Sequence, residues 1–236
     1  MARLCLCINQ VALNRNLRKS KIPDPAALAI AAEMAGVDGI VAHLREDRSD
    51  VTDRDIQVLK EIVTSHFNLA IALREEMISK AIKWLPDMVT LLPSTLENKS
   101  DESLDVISNL DYVESSIQTL RAHNIVVTLL IDPVAQQIKA AARSQADYIQ
   151  FNTSPLQRID DFATMNDFIE ELRSAAIAAN KIGMGVIAGR GLSTQTLREI
   201  TNISYIEEFN IGWGIVSRAM LVGIEQAVKD FKKILS

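Results

Sequence analysis

His43 and the mixed-charge run that follows it are the residues best suited to acid–base chemistry. The run Arg45-Glu46-Asp47-Arg48 begins two residues after this histidine. An imidazole can act as a general base near neutral pH when its neighbours tune its pKa. The alternative is a histidine that is simply hydrogen-bonded in the rim of the fold, and the spacing alone leaves both interpretations open.

Two Gly-x-Gly triplets near the C-terminus predict a phosphate site. They cover residues 189–191 and 212–214, and glycine lets backbone N–H groups approach an anion closely. Arg190, which lies inside the first triplet, could form a bidentate pair with a phosphate. Tight turns also need glycine and many arginines are ordinary surface residues, so these alternatives stay open at this point.

Other catalytic and cofactor motifs are absent from the sequence. It contains no G-x-S-x-G elbow, Walker loop, H-E-x-x-H helix or G-x-G-x-x-G turn. The only cysteines, Cys5 and Cys7, would share one face of a strand, which favours neither a disulfide framework nor a metal site with its larger ligand set. We therefore expect no metal and no cofactor.

Charge and hydropathy exclude several classes of partner. Thirty acidic and 25 basic residues give a net charge of −5, and no segment combines Lys and Arg with aromatic residues, so we expect no nucleic-acid binding. Apolar runs such as 125–131 fall far short of the roughly 20 residues of a membrane helix. The first residues lack the long apolar region and cleavage site of a signal peptide, which predicts a cytoplasmic protein without membrane contact.

Eight short apolar runs alternate with longer segments of helical periodicity. Most runs are apolar on both faces, as buried parallel strands are. The predicted strands are 4–8, 39–44, 68–73, 88–92, 125–131, 148–152, 185–188 and 205–211. Eight such units in 236 residues predict one α/β domain over residues 1–236, a (β/α)8 TIM barrel with an eight-stranded parallel core.

The segments between the strands carry helix stripes and helix starts. One stripe comprises Leu110, Val113, Ile117 and Leu120; the C-terminal one comprises Val216, Met220, Ile224, Val228, Phe231 and Leu235. Pro25 suits a first helical turn, and Thr52 with Asp55 resembles a capping box. These stripes predict helices packed against the sheet.

A barrel builds its site from the residues that follow each strand. These are Asn9, Gln10, Arg15 and Arg18; then His43 and Arg45-Glu46-Asp47-Arg48; then Gln150 and Asn152; then Gly189, Arg190 and Gly191; and finally Asn210, Gly212, Trp213 and Gly214. His66 and His123 precede strands, so we assign neither a role.

The run His43-Leu44-Arg45-Glu46-Asp47-Arg48, followed by Thr52-Asp53-Arg54-Asp55, resembles the pyridoxine 5'-phosphate synthase family of vitamin B6 biosynthesis. Further pieces of the resemblance extend over most of the chain. They are Asn9 with Arg15-Asn16 and Arg18, Pro23-Asp24-Pro25, Ala35-Gly36-Val37-Asp38-Gly39-Ile40, Glu75-Glu76-Met77, Ala188-Gly189 with Gly191-Leu192, and Asn210-Ile211-Gly212. The histidine-containing run is the more specific part.

The resemblance implies a cytoplasmic homo-oligomer that joins 1-deoxy-D-xylulose 5-phosphate to 3-amino-2-oxopropyl phosphate. Water and inorganic phosphate are released, without a metal or organic cofactor. The family pattern implies His43 as general base and the following substrate-binding residues: Asn9 at the aminoketone phosphate, Arg18 and Arg45 at the sugar phosphate, Ser100 near a substrate-contacting threonine, and Gly191 and Gly212 in phosphate loops.

Six positions differ from that family pattern. Gln10 aligns with a histidine, Asp50 with a second histidine, Ala70 with the glutamate base, Gln150 with another glutamate, Arg190 with the histidine acid and Trp213 with a further histidine. We expect Arg190 and Trp213 to bind substrate from these positions, and Asp50 to bring a negative charge to where the sugar phosphate lies.

Alanine carries no transferable proton and arginine stays protonated. The sequence therefore supports three hypotheses: a synthase, a protein that only binds a phosphorylated metabolite, and a subunit of an oligomeric assembly.

Overall fold

The fold is a closed barrel of eight parallel strands, seen in a computed structural model that describes residues 2–94 and 102–236. The strands are β1 (Arg3–Cys7), β2 (Gly39–Leu44), β3 (Phe67–Ala72), β4 (Met88–Leu92), β5 (Val126–Ile131), β6 (Tyr148–Asn152), β7 (Gly185–Gly189) and β8 (Ile206–Ile211). β8 pairs with β1 and closes the ring. The predicted TIM barrel is confirmed.

Ten α-helices accompany the strands in the described residues. They are α1 (Asn9–Leu17), α2 (Pro25–Ala35), α3 (Asp53–Ile62), α4 (Glu75–Trp84), α5 (Leu110–Arg121), α6 (Ala135–Arg143), α7 (Phe162–Lys181), α8 (Thr194–Ile200), α9 (Trp213–Val222) and α10 (Ile224–Leu235). A short 3-10 helix, Ser154–Gln157, follows β6. None of these helices in the described residues is long and apolar enough to cross a membrane.

The strands bury different residues on their two faces. Large apolar side chains such as Phe151, Phe209 and Leu69 pack in the layer between barrel and helices. The alternate positions face the barrel interior, and several are polar and buried, including Thr90 and Gln150. The interior of the barrel therefore supplies polar groups directly beneath its mouth.

Local capping signals act where the sequence predicts them. Asp24 caps α2 by accepting a hydrogen bond from the N–H of Ala26, with Pro25 in the first turn. Thr52 and Asp55 form a reciprocal capping box at the start of α3. The first cap fixes the start of α2 after the loop from α1. The second fixes the start of α3 after the loop from β2.

The C-terminal stripe is one helix in the sequence interpretation and two helices in the structure. Gly223, with φ of 80°, separates α9 from α10. Because the chain turns there, Met220 is not part of the buried stripe and is 78% exposed. The helical spacing predicts a helix on each side of Gly223. Because the chain changes direction at this glycine, the exposed side of α9 is not the one that a single continuous helix would expose.

Candidate active site at the carboxyl ends of the strands

A cavity of about 220 Å³ lies at the carboxyl ends of the strands. Its lining consists of Cys7, Asn9, Gln10, Val41, His43, Arg45, Ala70, Thr90, Leu92, Gln150, Ser154, Gln157, Arg190, Gly191, Asn210, Gly212 and Trp213. No aspartate or glutamate belongs to this described lining, and His43 is its imidazole.

Most of the predicted site residues meet in this cavity. Those that do are Asn9, His43, Arg45, Arg190, Gly191, Gly212 and Trp213. Arg18 is exposed at the end of α1 and does not belong to the described lining. Ser100 lies outside the described residues.

The loop after β2 is held by Arg48. This residue has a positive φ of 56°, and its Nη1 donates to the carbonyl oxygens of Arg45 and Glu46 at 2.9 and 2.7 Å. Its Nε donates to Asp53 at 2.9 Å. Arg48 therefore shapes the loop that carries Arg45, although its sequence context is typical of a solvated charged segment.

The Asn9 side chain extends the pairing of β1 and β2. Its Oδ1 accepts a hydrogen bond from the His43 N–H at 2.8 Å, and its Nδ2 donates to the His43 carbonyl at 2.7 Å. Asn9 Nδ2 also donates to Asp50 Oδ2 at 2.9 Å, and Asn9 Oδ1 also accepts a hydrogen bond from the Cys7 thiol. The Asn9 amide thus fixes the end of β2 beside the cavity.

Asp50 lies behind the cavity lining. Its buried carboxylate accepts hydrogen bonds from Asn9 Nδ2 and from Arg45 Nε, the latter at 3.1 Å. The sequence predicts this charge in the path of a sugar phosphate, but Asp50 does not belong to the described lining. The adjacent guanidinium compensates the carboxylate, which explains how a negative charge is accommodated here.

His43 is held in its neutral form. Burial, followed by the positive charges of Arg45 and Arg190, lowers its pKa to about 3, and Asp47 opposes that shift. A neutral imidazole can accept a proton, and two nearby guanidinium groups attract anions. The cavity thus combines a group that can accept a proton with guanidinium groups that can bind an anion.

The loop after β7 needs an unusual backbone. Arg190 has φ of 78° and Gly191 has φ of 71°. The Thr153 hydroxyl donates to the carbonyl oxygens of Gly189 and Arg190, which holds this turn against the end of β6. A Cβ on Gly191 would lie 2.8 Å from the Gln157 side chain. The positive φ favours glycine at 191, and a side chain there would also have to displace the Gln157 side chain.

Among the lining residues that escape the sequence reasoning, four carry a polar side chain or a thiol. Cys7 and Thr90 lie on inward-facing strand positions, whereas Ser154 and Gln157 belong to the 3-10 helix after β6. Strand alternation could have identified the first pair. The second pair lacked a signal, because nothing in the sequence predicts that this short helix folds over the cavity. Burial raises the pKa of the Cys7 thiol to about 11, so it is not a nucleophile at neutral pH.

A family model described as "Pyridoxal phosphate biosynthesis protein PdxJ" matches residues 4–236. The chain belongs to this family. A pyridoxine 5'-phosphate synthase of Geotalea daltonii is 41% identical over 231 residues, which cover 98% of this chain and 97% of that protein. A pyridoxine 5'-phosphate synthase of Synechocystis sp. is 40% identical and covers the same shares of the two chains.

Solved structures outside the PdxJ family share the fold. A KGPDC structure from Streptococcus mutans matches with a TM-score of 0.69 at 13% identity over 99% of this chain and 97% of that one. A 3-hexulose-6-phosphate synthase matches with a TM-score of 0.64 at 16% identity over 99% of this chain and 100% of that one. At these identities the likeness shows the barrel alone.

The six positions predicted to differ from the PdxJ pattern fall in two groups. Five line the cavity: Gln10, Ala70, Gln150, Arg190 and Trp213. Asp50 is the sixth and lies behind the lining. The Asn210 amide donates to Gln150 Oε1 at 3.0 Å, and Ala70 packs on Leu92 and Leu130. Gln150 therefore serves in a hydrogen bond and Ala70 in packing, and neither side chain carries an acid–base group.

Proposed function

We propose that this protein is a pyridoxine 5'-phosphate synthase that joins 1-deoxy-D-xylulose 5-phosphate to 3-amino-2-oxopropyl phosphate. The observation that carries the proposal is the cavity that gathers His43, Arg45 and Arg190 at the barrel mouth, in a chain that matches the PdxJ family over residues 4–236. The comparisons favour this activity over the alternative of a non-catalytic binding protein.

Arg45 and Arg190 bind the phosphate groups in this proposal. A guanidinium presents a planar fork of donors that matches phosphate oxygens. The turns at Gly191 and Gly212 let the backbone approach the same anions, and Trp213, 58% exposed at the start of α9, covers one side of the cavity. Arg18 and Ser100 stay predictions as further substrate ligands.

His43 acts as the proton acceptor. Condensation of an amine with a ketone and the subsequent loss of water both require a group that takes a proton and returns it. A bound phosphate neutralises the charge of Arg45 and Arg190, which are two of the causes that lower the His43 pKa. Substrate binding therefore makes His43 a stronger base at the moment when it is needed.

We further propose that the protein is a homo-oligomer that works in the cytoplasm. The support for assembly is a set of exposed apolar side chains on the three helices α1, α2 and α9. Helix α1 contacts both α2 and α9, so these side chains lie on neighbouring helices. Exposed apolar side chains grouped on a surface are typical of protein interfaces.

The direct test is incubation of the purified protein with both substrates. We expect pyridoxine 5'-phosphate and free phosphate to appear together, and a His43→Gln variant to lose about 10²- to 10⁴-fold in turnover, the usual loss for a general base. A heat-inactivated sample is the control. Saturable binding of the sugar phosphate without any product would reject the synthase in favour of the binding protein.

A further inference from the structure

We propose that Asp50 is a positioning residue that holds the Arg45 guanidinium, through Nε, in the orientation that presents its Nη atoms to a substrate phosphate. The inference rests on the proposed function in one respect, namely that Arg45 is a phosphate ligand. It concerns a residue that contacts no substrate and acts through a neighbour.

Asp50 is fixed on all sides. Its side chain is 6% exposed, and its Oδ1 accepts the N–H of Val51 at 2.7 Å. Its backbone carbonyl accepts hydrogen bonds from Arg15 Nη2 at 3.2 Å and from Asn16 Nδ2 at 2.7 Å. A carboxylate held in this way is a rigid acceptor and not a mobile surface charge.

Oδ2 of Asp50 joins two residues of the cavity lining. It accepts Asn9 Nδ2 at 2.9 Å and Arg45 Nε at 3.1 Å. Asn9 in turn is bonded to the backbone of His43. One carboxylate oxygen thus sets the position of Arg45, the proposed phosphate-binding residue, relative to the end of β2 that carries His43.

The contact through Nε has a specific consequence for Arg45. Within the part of the chain that the structure describes, it is the hydrogen bond that anchors this partly exposed side chain. It uses the donor nearest the stem and leaves both Nη groups for a ligand. A flexible arginine loses rotamer freedom on binding, so an arginine that is ordered beforehand binds an anion more tightly.

Other carboxylates of this region do not have the same geometry. Asp55 forms a bidentate pair with Arg15 and caps α3. Asp47 is exposed and caps the N–H of Ser49. Asp50 is the aspartate of this loop whose side chain contacts both Asn9 and Arg45. The sequence resemblance predicts a histidine at this position of the family pattern, so we expect this way of orienting the arginine to be particular to this chain.

Positioning and simple charge make opposite predictions for Asp50→Asn. The substitution preserves shape and removes a negative charge beside the anion site. If the charge alone mattered, phosphate ligands would bind more tightly to the variant. If Asp50 positions Arg45, we expect KM for 1-deoxy-D-xylulose 5-phosphate to rise about tenfold while kcat changes much less. Tighter binding would overturn the proposal.

Two controls separate positioning from loss of structure. Asp147→Asn alters a matched carboxylate that pairs with Arg121 and accepts the Val127 N–H at the opposite end of the barrel, and we expect its KM to stay unchanged. In an Arg45→Lys background, which lacks the Nε donor, Asp50→Asn should add little to the rise in KM. Fully additive effects of the two substitutions would contradict coupling through this bond.

A measurement without turnover keeps the inference separate from the proposed activity. The ¹⁵N–¹H signal of Arg45 Nε, assigned by its loss in Arg45→Lys, should be sharp and slowly exchanging in the wild type and should broaden in Asp50→Asn. Calorimetry with inorganic phosphate should show weaker binding to that variant. An unchanged Nε signal overturns the positioning role even if the synthase is active, and an inactive wild type with the expected signal contradicts the function alone.

Discussion

The cavity contains more groups suited to anion binding than groups suited to proton transfer. Two guanidinium groups face a single imidazole, and the described lining has no carboxylate. Burial is the main reason that the pKa of His43 is low, and the guanidinium charges that would attract a phosphate lower this pKa further. We therefore expect anion binding and basicity to be linked, because a ligand that neutralises Arg45 and Arg190 removes the electrostatic part of the shift and raises the pKa of His43.

The protonation of His43 can be followed directly by NMR. With its pKa lowered to about 3, we expect no titration of its ring signals between about pH 5 and pH 8, and an upward shift of the pKa when inorganic phosphate is added. His43→Gln identifies the signals. A ring that titrates near its ordinary value of about 6.5 in the free protein would show that the environment is not the one described.

The same shift makes stability depend on pH, with a defined sign. His43 has a lower pKa in the folded protein than in the unfolded chain, so the unfolded chain binds the extra proton below about pH 6.5. Stability therefore falls as the pH drops from about 6.5 toward about 3, by up to about 1.4 kcal/mol per unit from this residue. We expect the free energy of unfolding, measured with urea at several pH values, to depend less steeply on pH in His43→Gln than in the wild type.

Restoring acid–base groups should raise turnover. Ala70 and Arg190 line the cavity, and the sequence resemblance predicts a glutamate and a histidine at these positions in the family pattern. We expect the double variant Ala70→Glu with Arg190→His to exceed the wild type in kcat by about tenfold or more, while KM rises because a proposed phosphate ligand is lost. Histidine tolerates the positive φ at 190 better than most residues. Ala70→Gln with Arg190→His is the control, since it fills the same space without a carboxylate. Equal rates for the two double variants would argue against the assigned roles.

At the scale of strands and helices, periodicity was sufficient to predict the barrel. Strands 39–44, 88–92 and 148–152 agree with the structure to the residue, and the others differ by one residue at one or both ends. Because a barrel assembles the carboxyl ends of all strands, the rim residues could also be predicted. The hydrogen-bond partners of the rim side chains could not be predicted, because they are far away in the sequence. The Asn9 amide, for example, bonds to His43, 34 positions away, and to Asp50, 41 positions away.

The close approach of α9 to the loop after β7 is the element-level feature most open to test. A Cβ at Gly214 would lie 2.2 Å from the Leu192 carbonyl oxygen. We expect Gly214→Ala to displace the start of α9, to lower the free energy of unfolding by about 1–3 kcal/mol, and to weaken phosphate binding because Trp213 moves with the helix.

Gly183→Ala provides the matched comparison for that effect. Gly183 has φ of 80° with no atom within 4 Å of an added Cβ, and it lies between α7 and β7 at the opposite end of the barrel. We expect Gly183→Ala to lower the free energy of unfolding by about 1–2 kcal/mol through backbone strain alone and to leave phosphate binding intact. Equal effects of both variants on binding, measured by calorimetry, would contradict a specific role for the α9 contact.

At the scale of the whole molecule, net charge does not predict the sign of the site. The chain carries a net charge of −5, yet its cavity is lined by two arginines and no described carboxylate. Acidic residues lie mainly outside, where water solvates them, while the low-dielectric mouth of the barrel concentrates the positive potential. The phosphate binding that we propose would therefore be a local property of the strand ends.

The exposed apolar residues of α1, α2 and α9 predict assembly at the same scale. Leu17 is 73% exposed on α1 and Leu221 is 81% exposed on α9, and these two helices are in contact. We expect light scattering to give a multiple of the 26.1 kDa chain mass, and Leu17→Glu with Leu221→Glu to shift it toward the monomer because a buried unpaired carboxylate is costly. Ile182→Glu, at the end of α7, should leave the mass unchanged. A wild-type protein that scatters as a monomer at micromolar concentration would exclude a stable homo-oligomer, and the apolar surface would then need another partner.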